Sequence, residues 1–224
     1  MDKQGVLFLL KVFCLMSCQH INQMDSAKPI LKGEIKSLVG IAGQQYNVSQ
    51  YDEKDDFEKE IEETVIPAII IRSSYGLTDK NSVGIGFQSP TTFFIKSINS
   101  IYKKDEKHYL AVAHDISYSR FKHEINRASQ KWIVLGIRNS LLYTYELSED
   151  FSNDVSAGFL IRKSEVVALN ELADNDVSLD LLANYSFSLN YKWAIFEMAF
   201  LKSFRSGETL SSYALGLKFS FFSE

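Results

Sequence analysis

The stretch SSYALGLKFSFFSE, residues 211–224, decides the fold. Tyr213, Leu215, Leu217, Phe219 and Phe221 fall on one parity, while Ser212, Ala214, Gly216, Lys218 and Ser220 fall on the other. Successive strand side chains point to opposite faces, so one face here is apolar and the other small or polar. Two environments suit such a ribbon. A soluble sheet buries the apolar face against a second layer. A membrane barrel turns it out to lipid and keeps Lys218 and Ser220 in a wet lumen.

The same alternation runs back through the chain. In VSLDLLANYSFSLN (177–190), Leu179, Leu181, Ala183, Tyr185, Phe187 and Leu189 share one face. Ser178, Asp180, Asn184, Ser186 and Ser188 share the other, with Leu182 the apolar intruder. KWIVLGIRNSLLYTY (131–145) alternates likewise, with Asn139 the exception on its apolar face. EIKSLVGIAGQQYN (34–47), the hairpin of 65–88, TTFFIKSINSIY (91–102), HYLAVAHDISYSRF (108–121), VSAGFLIRK (155–163) and WAIFEMAFLKSF (193–204) complete a set of about ten strands. Eight or twelve also fit. The polar stretches 122–130 and 164–176 and the acidic stretch 51–64 read as loops.

An even strand count puts both chain ends on one side. The turns on that side (TDKN, KKDEK, LSEDFSND and NYK) are mostly shorter than those opposite, which hold 48–64, 122–130 and 164–176. Short turns on one side and longer loops on the other are the habit of outer-membrane barrels. Charged residues also occur in mid-strand. Arg72, Lys96, Asp115, Arg138, Arg162, Asp180, Glu197 and Lys218 lie mostly on the polar parity, with both signs available for pairing. We therefore expect an all-β, antiparallel, up-and-down transmembrane barrel over residues 34–224. Arg72, Arg162, Asp180, Glu197 and Lys218 are its expected lumen-facing polar side chains.

The chain begins MDKQGVLFLLKVFCLMSCQHINQ. Lys3 supplies a positive start, and the apolar run Val6–Met16 is too short to span a bilayer, so 1–17 reads as a signal peptide. Leu15-Met16-Ser17-Cys18 resembles a bacterial lipobox, in which the cysteine is acylated and becomes the first residue. Cys14 would leave with the signal, which leaves no disulfide framework and no thiol chemistry. Residues 18–33 then read as a lipidated tether.

The bulk composition agrees. The 224 residues are 46% hydrophobic and 23% charged, which excludes a bundle of apolar helices and a disordered chain. The 16 Phe, 11 Tyr and 2 Trp favour strands and membrane interfaces. A net charge of −4 argues against general nucleic-acid binding.

The succession AKPILKGEIKSLVG, RSSYGLTDKNSVGIGF, KHYLAVAHDISY and YALGLKFSF resembles small bacterial outer-membrane β-barrel proteins of uncharacterised function, many with lipoprotein-type signals. The resemblance covers most of residues 27–222 and implies architecture and location: the bacterial outer membrane, with a periplasmic N-terminus. It carries no catalytic residue. Gly216-x-x-Phe219-x-Phe221 resembles the C-terminal signal read by the barrel-assembly machinery, although the chain ends Phe222-Ser223-Glu224. The implied partners are outer-membrane lipid and that machinery.

Chemistry has little foothold. AHDISYSRFKHE offers His114, Ser117, Ser119, His123 and Glu124 for a nucleophilic set. His114 and Ser117 differ in parity, so they point to opposite faces of one strand. The four His lie at no metal-ligand spacing, and no phosphate-binding glycine motif is present; neither metal nor cofactor is expected. Function reads as a structural barrel or a narrow passive pore. A lipid-modifying outer-membrane enzyme and a lipid-anchored soluble β-sandwich or lipocalin-like binder are the alternatives. His114 and Asn139, both on the apolar parity, are the two residues that the barrel reading leaves unexplained.

Overall fold

A computed structural model describes residues 24–47, 64–89, 91–125, 128–168, 176–205, 207 and 209–222. The stretch 1–17 expected as a signal peptide, and Cys18, lie outside the described residues. Ten strands form: β1 (Glu34–Asn47), β2 (Thr64–Gly76), β3 (Asn81–Gln88), β4 (Thr92–Lys104), β5 (His108–Ile125), β6 (Ala128–Ser148), β7 (Phe151–Ala168), β8 (Asp176–Tyr191), β9 (Ala194–Ser203) and β10 (Thr209–Phe222). No helix occurs among the described residues.

Each strand pairs antiparallel with its neighbours in sequence, and β1 pairs with β10, so the sheet closes into a barrel. The seam runs the full length of both strands, from Glu34 opposite Phe222 to Asn47 opposite Thr209. Closure gives every strand a partner on both sides and removes the exposed edges that invite aggregation. Two-sheet packing is therefore absent, and the sandwich alternative does not describe this chain.

Three expected loops are shorter than the side-chain pattern suggests. Residues 122–130 read as a polar loop, yet β5 runs to Ile125 and β6 starts at Ala128, with Lys122 opposite Lys131 and Glu124 opposite Ser129. β7 likewise continues through Ser164–Ala168. The turn between β6 and β7 narrows to residues 149–150. The physical reason is common to all three. A ladder is made by backbone N–H and C=O groups, so pairing continues beyond the point where an apolar face stops marking the strand. His123 and Glu124 thus belong to the rim of β5 rather than to a loop.

The barrel's polarity is inverted relative to a soluble protein. Tyr213, Leu215, Leu217, Phe219 and Phe221 are all exposed, as are Ile41, Ile69, Ile85, Phe93, Ile95, Leu179 and many others of their parity. Ile41 and Ile95 each keep 64% of their surface. A lipocalin-like binder would have the opposite arrangement, with a polar exterior around an apolar cup. The apolar exterior has two borders. Tyr75, Tyr102, Tyr143 and Tyr191 stand outward near the ends of β2, β4, β6 and β8, with Trp193 in the following turn. His108 joins them, stacked on Tyr145 with ring centroids 4.9 Å apart and bonded to the Tyr143 hydroxyl at 2.7 Å. At the other border outward positions turn cationic: Arg120 follows Ile116 and Tyr118, Lys163 follows Phe159 and Ile161, and Lys202 follows Met198 and Phe200.

The interior is packed rather than hollow. Arg138, Lys96, Leu38, Leu182, Ile195, Leu201, Gln88 and Glu197 are its largest fully buried side chains. Ionic rows alternate with apolar clusters, one built on Leu160, Leu182, Ala199 and Leu201 and another on Tyr109, Ala111, Ala113 and Leu142.

Candidate functional site: a lumen closed by the N-terminal segment

The segment before β1 runs inside the barrel. Its described part, Met24–Gly33, enters at the end where β2, β4, β6 and β8 finish. Gly33 donates its N–H to the Gly76 carbonyl at 2.9 Å, and Lys28 Nζ meets Glu146 Oε1 at 2.5 Å near the end of β6. Further in, the Ala27 N–H donates to Thr144 Oγ1 at 2.7 Å. Asp25 then reaches the interior cations, its Oδ1 on Arg72 and its Oδ2 on Lys96. The Met24 N–H donates to Glu197 Oε2 at 2.6 Å, and Arg72 donates to the Met24 carbonyl at 3.0 Å. The described part of the stretch expected as a tether, 24–33, thus makes its contacts inside the barrel.

Each contact comes from a strand position set by register. Lys96, Asp115 and Arg138 are direct cross-strand partners on β4, β5 and β6, so their side chains form one inward row. Lys96 Nζ lies 3.8 Å from Asp115 Oδ2, and Arg138 Nε lies 3.7 Å from the same oxygen. Asp115 thus stands between two cations in a buried site, where charges need partners. Asp25 adds a second carboxylate, shared by Lys96 and Arg72.

Of the five polar residues singled out from the sequence, Glu197 is buried and Arg72, Arg162, Asp180 and Lys218 are partly buried, in separate places. Arg72 and Glu197 hold the segment. Arg162 and Asp180, directly opposed on β7 and β8, pair at 3.0 Å, and Ser203 Oγ donates to Asp180 at 3.0 Å. Lys218 donates to Asn190 Oδ1 at 2.7 Å, and the Asn190 amide donates to Asp154. Thr144 donates to the other Asp154 oxygen at 2.5 Å, which links Lys218 through Asn190, Asp154 and Thr144 to Ala27. Asp25 is the residue that sequence reasoning missed. One acidic residue in a polar segment has no periodicity to mark it, and only the barrel brings Arg72 and Lys96 to it.

No protein-family model matches the chain, and neither does any curated protein. Solved structures give distant likenesses. The attachment invasion locus protein Ail of Yersinia pestis is 11% identical, covering 85% of this chain and all of that one, with a TM-score of 0.42. The outer membrane protease OmpT of Escherichia coli is 9% identical over 84% and 97%, with a TM-score of 0.46. The translocator domain of the autotransporter NalP from Neisseria meningitidis is 8% identical over 97% and 96%, with a TM-score of 0.44. At such values the likeness adds nothing to the ring of paired strands, which establishes the barrel by itself.

Met24 has a prepared seat. It packs with Leu38, Ala42, Ala68, Ile70, Ile195 and Ala214, beneath the inward-facing Gly40 and Gly216. A β-carbon on either glycine would stand 3.3 Å from the Met24 methyl. Beside the segment a cavity of about 350 Å³ opens at the mouth, lined by Lys28, Lys36, Arg72, Glu146, Asn190 and Lys218 among others. No group of three or more metal-ligating side chains gathers among the described residues. Among the described side chains, His114 and the two serines do not come together. His114 is outward and exposed, Ser117 points inward beneath Gly136, and Ser119 bonds Thr92 at 2.7 Å within the lumen.

Proposed function

We propose that the chain is an integral barrel of the bacterial outer membrane, closed at rest by its own residues 24–33, and that it serves as a structural protein or as a narrow passive pore once that segment withdraws. The observation that carries this reading is the inversion of polarity: an uncovered apolar exterior around an interior of paired charges that includes Asp25. Such a wall matches hydrocarbon on the outside, and every strand's backbone groups are satisfied within the ring, as a membrane requires.

A periplasmic N-terminus suits the short turns 77–80, 105–107, 149–150 and 192–193 at the end where the segment enters. Acylation at Cys18 belongs to the same reading and carries a constraint. Five residues lie between Cys18 and Met24, so the acylated cysteine's backbone lies within about 20 Å of Met24 along the chain. Recognition by the barrel-assembly machinery through β10 rests on Gly216-x-x-Phe219-x-Phe221 and on that strand's place at the closing seam.

Two measurements test the reading. The protein should fractionate with outer membranes and migrate faster in SDS before boiling than after. In planar bilayers the parent protein should be silent, while Asp25→Lys, which sets a third cation beside Arg72 and Lys96, should expel the segment and show discrete openings. Recovery in the soluble periplasm removes the membrane reading; steady conductance by the parent removes the plug.

A further inference from the structure

His114 and Asn139 are direct cross-strand partners on the outward faces of β5 and β6. The ring Nδ1 lies 2.6 Å from Asn139 Oδ1, and both side chains are exposed. The outward neighbours are apolar in both directions. Val112 and Ile116 flank His114, with Leu110 and Tyr118 beyond them; Leu141 and Ile137 flank Asn139, with Tyr143 and Leu135 beyond. The pair therefore stands well inside the apolar band, out of reach of either border.

Hydrocarbon offers such a pair nothing. The internal bond uses the Nδ1 donor and the amide oxygen. It leaves the imidazole Nε2 as an acceptor and the Asn139 amide N–H groups as donors, aimed into an apolar medium where unmet polar groups are expensive. Polar side chains at such depth commonly mark a functional or protein–protein contact. Here the unused groups form a set of one acceptor beside one donor, side by side across a single strand spacing. A two-fold axis parallel to the barrel axis, passing between the two side chains, sets each acceptor against the other copy's donor. The set is complementary to itself.

We propose, resting on the membrane reading above, that the β5–β6 exterior is the two-fold interface between two copies of this chain. At its centre the Asn139 amide of each copy donates to His114 Nε2 of the other. Ile116 and Ile137, exposed in one barrel, meet the same surface of the other. An isologous contact of this kind closes at two and leaves no open end for further addition.

The test is association of the full-length protein in phosphatidylcholine vesicles, followed by energy transfer between donor- and acceptor-labelled copies as lipid dilutes them. The parent should show a dimer. The double variant His114→Leu/Asn139→Leu should remain a heat-modifiable barrel yet associate roughly tenfold more weakly, the worth of two intramembrane hydrogen bonds. The exchanged pair His114→Asn/Asn139→His keeps one acceptor and one donor and should restore association. A monomeric parent overturns the proposal, as does undiminished energy transfer in the double-leucine variant. Should the chain not insert into vesicles at all, the membrane reading fails first and by a separate observation.

Discussion

Gly40 and Gly216 are directly opposed across the β1–β10 seam, both facing inward, and together they leave room for the Met24 side chain. The Met24 sulfur and methyl stand 3.3 Å from where a Gly216 β-carbon would be, and Ile195 Cγ2 stands 3.0 Å away. The seam that closes the barrel is thus also the seat of the plug.

Gly216→Val fills that seat from the wall. We expect it to displace Met24, to make the peptide before β1 open to added protease, and to cost about 1–3 kcal/mol from overpacking. Limited proteolysis of detergent-folded protein, with urea unfolding alongside, measures both. Unchanged protection would show that the seat is not needed.

Two ion pairs of similar appearance should differ in weight. Asp115 is buried between Lys96 and Arg138, whose side chains are 2% and 1% exposed. Asp115→Asn leaves cations without their shared carboxylate and should cost about 3 kcal/mol. The Arg162 and Asp180 side chains keep 13% and 11% of their surface, so water can take over part of the lost interaction. Asp180→Asn should cost about 1 kcal/mol. Equal losses in urea titrations of the two variants would refute the distinction.

The exterior can be probed in the same way. Leu215 is outward and 53% exposed, between outward Tyr213 and Leu217. Leu215→Arg should cost about 2–4 kcal/mol when the barrel is folded in lipid, because the charge enters hydrocarbon. Arg120→Leu, at the cationic border, should lie within about 0.5 kcal/mol of the parent. A harmless Leu215→Arg would mean that lipid does not cover this wall.

The strands were legible because a period of two needs only local information. Leu179, Leu181, Ala183 and Tyr185 mark one face and Asp180, Asn184 and Ser186 the other before any fold is known, and β1 runs over the residues 34–47 expected for it. The strand ends were harder to read. His123 and Glu124 look like loop because both faces turn polar there, while the backbone goes on pairing.

By itself, the alternation of residues determined that this chain makes antiparallel strands, about ten of them, and which side chains share a face. Only the tertiary structure decided that the ribbon closes on itself with Leu215 and Phe219 outside, that Asp25 lies between Arg72 and Lys96, and that His114 meets Asn139. The reason is one of range. Side-chain parity is set between neighbours in the chain, whereas partners 25 to 71 residues apart meet only when register and closure bring their strands together.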